Sequence, residues 1–350
     1  MEMKILHVVP GLDNPFNGIA VAAKLIAGEQ GAEIVDAREF GKIKDLTKYE
    51  EVWVHSCWLP VTLKACWRVV KAKRPLVRMT HANLDPVRLR SHGWKKWLVG
   101  PIERWILRRC AKIVATCDAE KEWIEAYLGK KCPEVEIVDL KRFFNLAVSS
   151  QRLAVSEGEL AVSGQRLAVS GDGLAVSGQS LAVSGDGCNS ELDTRNRELH
   201  VLYLGRRHPL KGVEFLEAAV SELNSSTPPL PTPPLLKIVS NAFGEELEKV
   251  WDWCDVLVLP TLSENFGLVV AEALERGKRV ITTDGAPVWG EESDGVEEWV
   301  SGGVECRYGG RLLYLNGYRD GSEEERVELL KKAILFLAAK NAKGAKGLYD

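Results

Sequence analysis

The 350-residue chain contains no run of about eighteen apolar residues, the length a helix needs to cross a bilayer. Its opening apolar stretch, Ile5 to Val9, is too short for the core of a signal peptide and stops at Pro10. Eight cysteines are scattered without a C-x-x-C pair or a His/Cys cluster at ligand spacing, which argues against a disulfide framework and against a zinc site. A soluble protein of a reducing cytosol is expected. Charge of one sign is also scarce: the net value is -3, and no nucleic-acid partner is expected.

Apolar residues, by contrast, make up 45% of the chain, enough for the cores of two ordinary domains. One segment stands out by charge. Between Lys64 and Lys112 there are fourteen lysines and arginines against Asp85 and Glu103 alone. In the first half, β-rich runs at Ile5 to Val9, Glu51 to His55, Leu76 to Thr80, Ile113 to Thr116 and Val135 to Val138 alternate with helical patterns at Gly18 to Glu29, Trp94 to Cys110 and Ala119 to Leu128. Near-continuous apolar strands separated by helices indicate an α/β fold, a parallel sheet covered on both faces, the doubly wound arrangement. Such sheets bind ligands beyond the carboxyl ends of their strands.

The rhythm breaks over 146–190, where Leu-Ala-Val-Ser recurs from Leu146 to Leu181 with a strict period of seven. Three adjacent apolar residues followed by Ser, Gly, Gln or Asp make no coiled-coil seam, so a disordered low-complexity insert is expected. Strands and helices resume at His200 to Leu204, Lys211 to Leu223, Leu236 to Ser240, Val256 to Leu259, Leu268 to Arg276 and Arg279 to Thr283. The expected domains are therefore 1–145 and 191–350, with a cleft between.

The sharpest local feature is Leu262-Ser-Glu264-Asn265-Phe266-Gly267-Leu268-Val-Val-Ala-Glu272, which leaves a buried strand and enters a helix. Gly267 lets the backbone approach a ligand, and the amides of Phe266, Gly267 and Leu268 at the helix start can hold a phosphate. Glu272 lies one turn beyond Leu268 on the same face, where its carboxylate can accept hydrogen bonds from ribose hydroxyls. A second strand-to-helix junction, Gly205-Arg206-Arg207-His208-Pro209-Leu210-Lys211-Gly212, brings Arg206 and Lys211 together as diphosphate cations. In the first half, Pro10 to Ile19 is a turn entering a helix at Gly18. It has no Walker lysine and is not G-x-G-x-x-G, which disfavours a P-loop or a dinucleotide site. His81 and His55 stand at cleft-facing strand ends, and His81 is the better candidate for chemistry.

With these residues in place, the chain resembles the family 4 retaining glycosyltransferases, which have two facing Rossmann-like domains, the GT-B fold. Glu264 to Glu272 reads as that family's E-x7-E motif. The resemblance implies that Glu264 and the amides after it meet the donor sugar, that Glu272 binds ribose, and that Arg206 and Lys211 hold the diphosphate. It also implies that Gly18 passes near the donor phosphates and that His81 lies near the reacting carbon. The family generally needs no divalent metal, and no Asp-x-Asp motif is present; the donor is a nucleotide-diphosphate sugar and no cofactor is implied.

The stretch Thr282 to Trp289 resembles a loop of bacterial members that build lipopolysaccharide or other surface polysaccharides. A basic, tryptophan-bearing helix over 94–109 suits contact with an anionic leaflet and a saccharide or lipid-linked acceptor. Between Leu223 and Val250 the chain is short for the family's second domain, and it matches poorly after Trp289. Two other classes therefore stay open: a catalytically weak nucleotide-sugar-binding or scaffolding protein of an assembly complex, and a sugar-nucleotide epimerase.

Overall fold

A computed structural model describes residues 4–14, 17–91, 93–142, 198–227, 230, 232–293, 297–301, 304–309 and 311–342. The repeat insert and the proposed domain boundaries at 145 and 191 lie outside them. The first domain is a six-stranded, wholly parallel sheet. Its strands are β1 (Ile5–Val9), β2 (Glu33–Asp36), β3 (Glu51–His55), β4 (Leu76–Met79), β5 (Lys112–Ala115) and β6 (Val135–Ile137), in the order β2-β1-β3-β4-β5-β6. The order reverses between β1 and β3, so the loops leaving these two strands diverge and open a crevice at their carboxyl ends.

Helices α1 (Gly18–Glu29), α2 (Pro60–Lys71), α3 (Pro86–Arg90), α4 (Gly93–Leu107) and α5 (Asp118–Leu128) cover the sheet. Small residues on the buried face of α1, Ala20, Ala22, Ala23 and Ala27, set it close to the strands. Its N-cap, Asn17, accepts from the Ile19 amide and donates from Nδ2 to the carbonyls of Pro10 and Gly11, which folds the loop after β1 over the helix start. Arg78, in the middle of β4, is fully buried, and Glu103 of α4 meets it at 2.6 Å. A buried cation is tolerable only with such a partner.

The second sheet has seven strands: β7 (His200–Leu204), β8 (Leu235–Val239), β9 (Val256–Leu259), β10 (Arg279–Thr283), β11 (Glu297–Ser301), β12 (Val304–Gly309) and β13 (Leu312–Leu315). They run in the order β11-β12-β13-β10-β9-β7-β8. The five from β13 to β8 pair in parallel, whereas β11 and β12 add an antiparallel ribbon at one edge that the sequence pattern did not foretell. Helices α6 (Val213–Asn224), α7 (Gly244–Trp253), α8 (Leu268–Glu275) and α9 (Glu323–Ala342) complete it. Lys211 belongs to a short 3-10 turn, Pro209–Lys211, and not to the helix expected to begin there. Gly212 separates the two at φ 62°, and a Cβ on it would lie 2.2 Å from the Pro260 carbonyl oxygen. The segment from Leu223 to Val250 holds β8 and most of α7. The long α9 packs on α6, so it stays with the second domain.

Candidate active site

The two domains meet around a cavity of about 620 Å³. Ten of the residues singled out in the sequence line it, Gly18, His81, Arg206, Lys211, Glu264, Asn265, Phe266, Gly267, Leu268 and Glu272, whereas His55, expected to face the cleft, is buried behind His81 and is not part of the lining. They arrive from opposite walls, Gly18 and His81 from the first domain and the rest from the second.

His81 follows β4 in a turn where it and Ala82 have φ of 53° and 55°. Left-handed backbone costs such residues roughly 1 kcal/mol each, so something must hold the turn. That is Glu120 of α5, almost fully buried. It accepts from Thr80 Oγ1 at 2.6 Å, from the Ala82 amide, and from both the amide and hydroxyl of Thr116 at 2.8 Å. The imidazole of His81 is buried too, and burial, with Arg88 and Arg78 adding to it, drives its pKa down to about 3, so the ring is neutral at ordinary pH. Asn265 Nδ2 lies 3.2 Å from His81 Nδ1 across the cleft.

On the second wall, Lys211 forms an ion pair with Glu264. Burial pushes the Glu264 carboxyl upward, but Lys211, Arg88 and the hydrogen bonds from Lys211 and the Asn265 amide outweigh it and hold the pKa below the ordinary value. Glu264 is therefore an acceptor in its charged form. Of the two neighbouring arginines, Arg207 is held by Glu217 through a bidentate pair, while Arg206 stands at the exposed rim with no ion pair among the described residues. Gly267, at φ 71°, starts α8; its amide and that of Leu268 have no acceptor among the described residues and sit on the cavity wall. Phe266 is buried against Trp289, with ring centroids 5.2 Å apart, and its carbonyl accepts from the Trp289 indole. An added Cβ on Gly18 would be 3.6 Å from Leu268 Cδ1, so the first-domain helix start faces the turn at Gly267 closely.

Glu272 is the most perturbed acid of the cleft. Burial raises its pKa to about 7, with Glu275 and Glu248 pushing the same way and Arg276 opposing. Its carboxylate takes no side-chain or backbone donor among the described residues, which leaves both oxygens for a ligand.

Several groups at this site carry no local sequence signal. Asp85, the buried N-cap of α3, accepts from Ser263 Oγ and is paired with Arg319 of the second domain. Arg88 Nε donates to Ser263 Oγ at 2.7 Å, and Lys96 also faces the cavity. The Thr282 to Trp289 loop packs behind the turn that carries Glu264: Gly285 accepts from the Glu264 amide, and a Cβ on it would fall 2.0 Å from the Thr261 carbonyl oxygen.

Residues 16–138 match the family model described as Glycosyl transferase 4-like domain, and residues 234–302 match that of Glycosyl transferases group 1. The chain belongs to this glycosyltransferase family. Its fold is that of solved GT-B enzymes. Sucrose-phosphate synthase from Thermosynechococcus elongatus aligns over 97% of this chain and 91% of its own, at 13% identity and a TM-score of 0.57. A Burkholderia xenovorans trehalose-phosphate synthase, solved with glucose-6-phosphate, aligns over 97% and 92% at 9% identity and a TM-score of 0.53. An Escherichia coli protein described as trehalose-6-phosphate and bound with UDP-2-fluoro glucose aligns over 97% and 96% at 10% identity and a TM-score of 0.51. No curated protein sequence matches this glycosyltransferase.

Proposed function

We propose that the protein is a retaining glycosyltransferase that moves a sugar from a nucleotide-diphosphate donor to an acceptor hydroxyl. The observation that carries this reading is the convergence on one cavity of two cations, two open amides at a helix start, a carboxylate without a partner among the described residues, and His81. Arg206, Lys211 and the amides of Gly267 and Leu268 would hold the diphosphate, and Glu272 the ribose. Glu264 and Asn265 would meet the sugar, with Lys211 shared between Glu264 and phosphate. As the bond from the sugar carbon to the phosphate oxygen breaks, its electron pair passes to that oxygen. The growing charge there is met by the cations and the positive end of α8. The acceptor oxygen bonds to the same face of the carbon, and its proton goes to the departing phosphate oxygen. No divalent metal and no cofactor take part in this scheme.

Incubation with uridine, guanosine and adenosine diphosphate sugars tests it. Release of nucleoside diphosphate that is lost in Glu264→Ala and Glu272→Ala is expected, with the product anomer matching the donor. Binding without release would favour a scaffolding role, and an altered sugar still on its nucleotide an epimerase. Lys211→Ala is expected to weaken nucleotide binding by roughly 1.5 to 3 kcal/mol, the worth of a hydrogen bond to a charged group; unchanged affinity in calorimetry removes Lys211 from the site.

For the acceptor, the proposal is a lipid-linked saccharide of bacterial surface polysaccharide or lipopolysaccharide synthesis, met at the inner face of the membrane. The side chains of Trp94 and Lys95 lie outside the described residues, but the rest of α4 supports the reading. Trp97 is 78% exposed, and Leu98, Ile102 and Trp105 share its outward face. Trp67, 53% exposed, adds to them from the neighbouring α2. Lys71 and Arg109 lie over the rings of Trp67 and Trp105, Lys64, Arg104 and Arg108 are exposed on or beside the same two helices, and the only acid in either helix, Glu103, is buried. Apolar rings among cations complement an anionic lipid surface. No helix among the described residues is long and apolar enough to cross a membrane, so contact would be peripheral. Sedimentation with phosphatidylglycerol vesicles, lost in the Trp97→Ser/Trp105→Ser double variant, is expected; equal sedimentation of both proteins would refute the surface.

A further inference from the structure

Three buried histidines stand in a row across the middle of the first sheet, His7 on β1, His55 at the end of β3 and His81 just after β4, on strands that are neighbours in the order β1-β3-β4. None is more than 1% exposed. His81 Nε2 lies 2.9 Å from His55 Nδ1, and His55 Nε2 lies 2.9 Å from His7 Nδ1. The row has an amide at each end: the Gln30 oxygen 2.8 Å from His7 Nε2, and Asn265 Nδ2 3.2 Å from His81 Nδ1.

A neutral imidazole donates from one nitrogen and accepts at the other. The direction chosen at one end of an unbroken row is therefore passed to the other. The Gln30 oxygen accepts, so His7 donates from Nε2 and accepts at Nδ1. His55 then donates from Nε2 and accepts at Nδ1, and His81 does the same. His81 is left with a bare Nδ1, the nitrogen that the Asn265 amide group faces, so the two ends specify one direction. An imidazolium has two donors and would break the row. Burial opposes protonation of all three rings, Arg78 adds to it at His55 and His81, and Arg88 adds to it at His81. Because the row ends in an amide and not in a base, it orients a ring and carries no proton away.

We propose that His7 and His55 are positioning residues that hold His81 neutral with its unprotonated Nδ1 toward the cleft, where it accepts a hydrogen bond from a hydroxyl of the bound sugar in place of Asn265. The role at the sugar rests on the transferase reading; the direction of the row does not.

Paired substitutions at His55 test it. Asparagine places an amide oxygen near the former Nδ1 and still accepts from His81, whereas phenylalanine keeps the ring and removes the acceptor. The expected result is a kcat reduced roughly tenfold or more in His55→Phe, with donor KM little changed, and most of the rate restored in His55→Asn. A role in packing alone gives the opposite order, since phenylalanine fills the ring's volume better. That opposite order, or equal kcat in both, overturns the proposal. Melting temperatures check that each variant is folded. If His55→Phe is not, nitrogen-15 histidine spectra of the unaltered protein decide: protonated Nε2 and bare Nδ1 at His81 are expected, and the other tautomer or a mixture overturns the proposal. The spectra need no turnover, so they separate failure of the row from failure of the transferase reading.

Discussion

Glu272 shows how a single carboxyl ties stability to ligand binding. Burial lifts its folded pKa to about 7 from the 4.5 of an ordinary glutamate. The folded state therefore holds a proton that the unfolded chain releases between those values. Its contribution to stability is complete below about pH 4.5 and is lost as pH rises through 7, a loss on the order of 3 kcal/mol. On the proposed reading a ribose changes the balance, because its hydroxyls would donate to the charged carboxylate. Nucleotide binding near pH 6 is then expected to expel close to one proton. Calorimetry of nucleoside diphosphate binding in buffers of different ionisation heat measures that release directly. Glu272→Gln should abolish it and flatten the pH dependence of affinity; a proton count that does not change in this variant would place Glu272 away from the nucleotide.

At the scale of elements, the turn after β4 is shaped from a distance. Thr80 to Ala82 cannot hold two left-handed residues alone, and the carboxylate of Glu120, two helices and one strand further along, collects four hydrogen bonds that fix it. Glu120→Ala would leave the buried amides of Ala82 and Thr116 without an acceptor, at roughly 1 to 3 kcal/mol each. A lower melting temperature and a loss of turnover with donor affinity largely kept are expected, and Glu120→Gln should recover part of both. Unimpaired turnover in Glu120→Ala would show that the turn holds itself. Nothing local in Asp118 to Leu128 announces this task. By contrast, β1, β3, β7, β9 and β10 were legible to the residue, because short runs of Val, Ile and Leu buried on both faces admit little else. β2, with only Ile34 and Val35 apolar and neither fully buried, was not. Nor was α7, whose apolar side is reduced to Leu247, Val250 and Trp251. The donor loop was readable because its parts lie within ten residues from Ser263 to Glu272. The histidine row and the Asp85 contacts were not, since they join residues 48 and 178 positions apart.

For the whole molecule, those distant pairs add to the apolar packing between the domains a few polar contacts. Asp85 is the centre of them. Its carboxylate is fully buried and accepts from the Val87 amide, from Ser263 Oγ and from Arg319, the last two from the opposite domain. Arg88 reinforces the same junction through Ser263 Oγ and its carbonyl. Relative motion is the default between domains of one chain, so a break in this junction is expected to favour an open form. Removing one partner of a buried pair costs about 3 kcal/mol or more, because a charge is left inside without its counter-charge. The domains avoid that cost by separating, which returns Asp85 to water. Arg319→Ala is therefore expected to shift the molecule toward the open form, with a larger radius of gyration in small-angle scattering and a reduced kcat/KM. The melting of the separate domains should be little affected. Saturating nucleotide sugar, which on the proposed reading would bridge Arg206 and Lys211 to the first-domain wall, should draw the radius back part of the way. A scattering curve and turnover identical to those of the unaltered protein would show that Asp85 and Arg319 do not govern closure.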